Sequence, residues 1–130
     1  MTINDPKSLH IVYLESVLAA IHFVPRDELG EMHFKTESEC DLGKWMKGHS
    51  DYFRGSKKYE SLIEKHKQFH DVLSRAVQLQ VEGTAGDRDA VDVLINEARI
   101  LCFSISELID VLTRHIEDEK GRGKVGIRED

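Results

Sequence analysis

Apolar residues recur at steps of three and four along three long stretches of this chain, and nowhere alternate at a step of two over a sustained run. A period of about 3.6 gathers side chains on one face of a helix, whereas a period of two gathers them on one face of a strand. The chain is therefore expected to be all-α, with helices joined through apolar stripes and no sheet. The first stripe is Leu9, Val12, Tyr13, Val17, Ala20, Ile21 and Val24. Asp5 reads as its cap and Pro6 as its first helical residue, where no amide hydrogen is needed. Pro25 should stop it at Val24.

Residues 25–40 carry no clear period and read as a long loop, and loops of that length are often functional. Asp41 is placed to cap a short helix through Trp45 that closes at Gly48, with a turn at Gly55-Ser56. The next helix should run from Ser56 to Glu82, with Tyr59, Leu62, Ile63, His66, Phe69, His70, Leu73, Ala76 and Val77 on one face. Gly83 to Gly86 reads as a turn and Asp87 as a cap. The last helix should end near Asp118, with Val91, Leu94, Ala98, Leu101, Cys102, Ile105, Leu108, Ile109 and Leu112 as its stripe. The expectation is a four-helix-bundle-like domain of three long helices and a short one over residues 1–118. The charged, glycine-containing residues 119–130 read as a disordered tail or a linker.

A chain of 130 residues with 40% apolar and 32% charged content suits one soluble domain. A net charge of −6 disfavours an electrostatic nucleic-acid partner. The longest apolar run, Val17 to Ile21, falls far short of the roughly 18 residues a membrane span needs. No secretory leader is visible in Met1 to Lys7, so a cytoplasmic location is expected. Two cysteines, Cys40 and Cys102, cannot build a disulfide framework.

His66 and His70 stand one turn apart within an apolar stripe, so their rings point the same way. Imidazoles facing a core must satisfy their nitrogens, and a metal ion does so for both. The same spacing also arises from an incidental pair at a helix edge. His10, beside Tyr13, Leu14 and Val17, could equally be a satisfied core histidine. Cys40 precedes a short helix whose N-terminus would favour a thiolate, yet it could also be a small buried hydrophobe. His22, His33, His49 and His115 read as exposed or locally hydrogen-bonded, although His33 and Glu37 have metal-compatible spacing. Trp45 reads as a core anchor and Cys102 as structural. Gly121-Arg122-Gly123-Lys124 lacks the spacing of a phosphate loop.

Taken in order, these pieces resemble the chemoreceptor zinc-binding domain family of bacterial signalling proteins. His10 is followed three residues later by the aromatic Tyr13. Cys40-x-Leu42-Gly43-Lys44-Trp45-x-x-Gly48 corresponds to the family's most specific stretch, and His66-Lys67-Gln68-Phe69-His70 to its final histidine pair. The resemblance spans about residues 8–115. It implies a zinc ion held by His10, Cys40, His66 and His70, a set of three imidazoles and one thiolate suited to tetrahedral zinc. Four protein ligands leave no open position, which argues against hydrolytic catalysis. It further implies a non-enzymatic sensory module attached to chemoreceptors or to diguanylate cyclase output domains. In such a module zinc, or oxidation of the zinc-bound cysteine by oxidants such as hypochlorous acid, is the signal. A structural zinc site in an interaction module is the alternative. A di-iron bundle is disfavoured, because the last helix offers no matching ligands. A homodimer is expected mainly from the family, with Leu14 and Val111 either supplying its interface or serving as edge residues.

Overall fold

The computed structural model of the chain describes residues 6–83 and 88–121, with the side chains of these apart from 115 and 117–121. Five helices make up the described fold: α1 (Pro6–Phe23), α2 (Arg26–Glu31), α3 (Asp41–Gly48), α4 (Lys57–Glu82) and α5 (Arg88–Gly121). No strand occurs among the described residues, as the helical period requires. The three long helices are those expected from the stripes, and they share one core.

Helix α1 begins at Pro6 and ends at Phe23, two residues before Pro25. His10, Leu14, Val17, Leu18 and Ile21 lie on its buried face. Ser56 caps α4, its hydroxyl accepting from the Tyr59 amide at 3.1 Å. This satisfies one of the amides that a helix N-terminus leaves unpaired. Gly83 closes α4, and its amide donates back to the Leu79 carbonyl. The expected cap at Asp87 lies outside the described residues, as does the tail beyond Gly121. Helix α5 continues three residues past its expected end at Asp118.

The contacts set the topology. His10 lies against Phe69 and the Gln80 side chain reaches the Ile21 carbonyl, so α1 runs parallel to α4. Lys7 pairs with Asp110 while Ile21 lies beside Val91 and Ile95, so α1 runs antiparallel to α5. Phe69, Leu62, Ala76, Ala98, Ile105 and Ile109 are almost wholly excluded from solvent where the three helices meet. Of these, the leucine, the phenylalanine and the two isoleucines each contribute about 1.5–3 kcal/mol on burial.

Two expectations are corrected. Residues 25–40 are not one loop, because α2 occupies Arg26–Glu31. Its Leu29 is buried while its other residues are exposed, so a single apolar anchor leaves no period to detect. Leu14, offered as an interface residue, is 4% exposed and belongs to the core, and Val111 is half-buried. Among the described residues, the large apolar side chains that face solvent are instead Ile11, Val12 and Phe23 on α1, Ile63 on α4, Val93, Ile100 and Phe103 on α5, and Met32 after α2.

Candidate metal centre

The segment between α2 and α3 carries a Thr-x-x-Glu sequence that folds on itself. The Thr36 amide donates to the Glu39 carboxylate at 3.0 Å, and the Glu39 amide donates to the Thr36 hydroxyl at 3.3 Å. This reciprocal pair is a capping box spent on a single turn. The Cys40 amide then donates to the Thr36 carbonyl at 2.9 Å. Cys40 thereby becomes the N-cap of α3, a place assigned to Asp41 on sequence grounds, and makes no side-chain cap bond. Its thiol is turned inward and is 2% exposed.

Gly43 permits this approach. A Cβ at that position would collide with the Glu37 carbonyl and come within 3.5 Å of His66 Cε1. The glycine in the Cys-x-Leu-Gly stretch thus lets the first turn of α3 lie directly on the preceding segment and on α4. Tyr13 holds the same segment from the other side, its hydroxyl donating to the Lys35 carbonyl at 2.9 Å. The same carbonyl lies close enough to the His70 ring to favour its protonated form.

The four residues singled out in the sequence converge. One donor atom from each of His10, Cys40, His66 and His70 lies within 4.8 Å of every other, and all four residues are buried. Helix α1 supplies the first, the N-cap of α3 the second, and one face of α4 the last two. His66 Nε2 and His70 Nε2 face each other at 3.1 Å. Two nitrogens bound to one tetrahedral zinc stand about 3.3 Å apart, given Zn–N bonds near 2.05 Å. His10 Nε2 is buried without a hydrogen-bond partner. An orphaned buried acceptor costs about 1–3 kcal/mol, and a cation at the centre of the group removes that cost. The donors present therefore fit a metal ion.

The electrostatics suit the same purpose. Burial pushes the His10 pKa down to about 3, with repulsion from His70 adding to it. Burial likewise lowers His66 to about 3 and His70 to about 4. All three rings are neutral at physiological pH and keep lone pairs for a cation. Burial raises the Cys40 thiol above its ordinary value, outweighing the Leu42 and Gly43 amides that pull it down. The helix N-terminus by itself therefore does not produce a thiolate. A bound divalent ion would reverse this balance.

The other histidines are satisfied locally. His22 Nδ1 meets the Leu18 carbonyl at 2.8 Å and His49 Nδ1 the Trp45 carbonyl at 2.8 Å. His33 pairs with Glu39 at 3.0 Å, not with Glu37. The His115 side chain lies outside those described. Trp45 is half-buried against the core, its ring 5.8 Å from that of Phe53. Sequence reasoning missed the Lys35 carbonyl, which has no side-chain signature, and the neighbour of Cys102. The Cys102 Sγ lies 3.7 Å from His10 Nδ1.

The profile of the chemoreceptor zinc-binding domain family matches residues 10–77, beginning at His10 and including Cys40, His66 and His70. It stops short of α5. Neither the curated proteins nor the solved structures give a match to this chain.

Proposed function

Because the chain belongs to the chemoreceptor zinc-binding domain family, we propose that His10, Cys40, His66 and His70 hold one zinc ion and that the domain is a sensory or regulatory module of bacterial signal transduction. The observation that carries this reading is the buried four-donor group with its orphaned His10 nitrogen. Three imidazoles and one thiolate complete a tetrahedral shell, so no position remains for an activated water and the site is not catalytic. The ion would tie α1, the segment before α3, and α4 together, and so would contribute folding energy.

Two events would break that tie. Zinc can leave, or Cys40 can be oxidised. A two-electron oxidant such as hypochlorous acid would convert the thiolate to a sulfenic acid, releasing chloride, and a sulfenic acid is the poorer ligand. Either event would release α3 from the α1–α4 pair, and that release is the output. The test compares native protein with Cys40→Ser in chelator competition and after oxidant treatment, reading zinc content and helix packing. About one zinc per chain and a response lost in the variant are expected; identical behaviour of the two proteins would sink the sensing role.

The depth of the site favours a second reading, in which zinc is purely structural. With Cys40 only 2% exposed, an ion that never leaves and a thiol inert to oxidant would make the domain an interaction module. A zinc affinity far tighter than the cell's free zinc would select this reading.

The domain would act in the cytoplasm, where reducing conditions keep thiols free, and would report to a chemoreceptor or a diguanylate cyclase output domain. A homodimer would form through the solvent-facing Val93, Ile100 and Phe103, which share one face of α5, with Ile11 of α1 contributing. Ile100→Glu with Phe103→Glu should leave the circular dichroism of the domain unchanged and yield monomers in sedimentation. Native protein that is monomeric at every accessible concentration would refute the dimer.

A further inference from the structure

Helix α5 supplies none of the four donor atoms and lies beyond the residues matched by the family profile. It nevertheless reaches the site through one side chain. Cys102, 5% exposed, places its Sγ 3.7 Å from Nδ1 of His10, which is itself 1% exposed. His10 Nε2 is the ring nitrogen without a hydrogen-bond partner. A neutral imidazole carries one proton, and a nitrogen that ligates a metal must present its lone pair. If Nε2 ligates, the proton belongs on Nδ1, and that N–H needs an acceptor in a place closed to water. Histidine ligands ordinarily give this second proton to a carboxylate or a carbonyl. For His70 the Lys35 carbonyl is the acceptor close by. For His10 the group in reach is a sulfur.

We propose that Cys102 is a positioning residue for the metal centre: its sulfur accepts the Nδ1–H of His10, fixing the ring and its tautomer and linking α5 to the occupancy of the site. The proposal rests on the zinc-site reading above. Its mechanical consequence is specific. Zinc on Nε2 polarises the imidazole and strengthens the Nδ1–H donor, so binding tightens the α1–α5 contact at Cys102. Loss of zinc slackens the same contact. The longest helix of the domain would thus sense the ion without touching it.

The test uses the whole chain and three proteins. Cys102→Val keeps a small apolar side chain of similar size but removes the acceptor, and Cys102→Ser restores an acceptor. Zinc affinity is measured by chelator competition, zinc-free stability by thermal melting, and the His10 tautomer by long-range proton–nitrogen correlation on zinc-loaded native protein. Cys102→Val should bind zinc about 10-fold or more weakly while its zinc-free melting temperature stays near native, and Cys102→Ser should recover most of the affinity. The native spectrum should show His10 protonated at Nδ1. Three results would each overturn the proposal: native-like affinity in Cys102→Val, an equal loss in Cys102→Val and Cys102→Ser, or a His10 proton on Nε2. The tautomer is read on native protein, so a variant that fails to fold leaves the question decidable. Native protein that takes up no zinc would instead overturn the site reading itself.

Discussion

Zinc binding to this domain should release one proton near neutral pH, and the count follows from how the four donors are buried. His10, His66 and His70 are lowered to about 3, 3 and 4. Between about pH 6 and pH 8 they are already neutral and have no proton to give up. The Cys40 thiol is raised above its ordinary value of 9.0, so it is protonated throughout that range and must lose its proton to ligate. Affinity should therefore rise about tenfold per pH unit, or about 100-fold (~2.7 kcal/mol) from pH 6 to pH 8. Three histidines with ordinary values near 6.5 would instead be about three-quarters protonated at pH 6. Binding would then release about three protons there, and affinity would change several thousandfold over the same range. Calorimetry in two buffers of different ionisation enthalpy counts the protons, and chelator competition at the two pH values gives the affinity ratio. About one proton at pH 6 supports the neutral, preformed imidazole cluster. A count near three would refute it, because it would mean that the metal-free rings are solvated and charged.

The same shifts make the zinc-free fold sensitive to acid. Each histidine has a folded value below its unfolded one, so its contribution is fully present above about pH 6.5 and is lost as pH falls toward 3–4. One unit below 6.5 the loss is at most about 1.4 kcal/mol per ring. Thermal melts of zinc-free protein at pH 7.5 and pH 5.5 should differ clearly, and equal melting temperatures would contradict the burial. Gly43→Ala drives a methyl group into the Glu37 carbonyl and should cost about 2 kcal/mol or more, read as a lower denaturation midpoint with weakened zinc binding. Ser56→Ala removes the α4 cap and should cost about 1 kcal/mol in urea unfolding, leaving zinc affinity unchanged in the folded protein.

Much of the architecture was legible because helix formation is a local matter. The stripes of α1, α4 and α5 show the period of a buried helix face, and Pro6 and Ser56 mark boundaries through local chemistry, the one by its missing amide hydrogen and the other by a hydroxyl that accepts from the Tyr59 amide. The donor residues were legible for a different reason. The spacing of His66 and His70 places them on one side of one helix, but His10 and Cys40 taken alone read equally well as core residues, and only the resemblance to the family joined the four. Helix α2 was not legible, since a single buried leucine makes no period. Nor was the Lys35 carbonyl, since every residue has one.

What the tertiary structure alone decided is which groups meet across chain separations that no local rule can span. It brought His10 and Cys40 to the α4 pair and placed Leu14 in the core. It left Ile100 and Phe103 facing solvent, and it set the Cys102 sulfur behind the His10 ring. A stripe tells that a side chain is buried, but the identity of its neighbour depends on the relative rotation and offset of two packed helices. Those quantities are settled jointly by all the side chains at the contact, and so they appear only when the bundle is assembled.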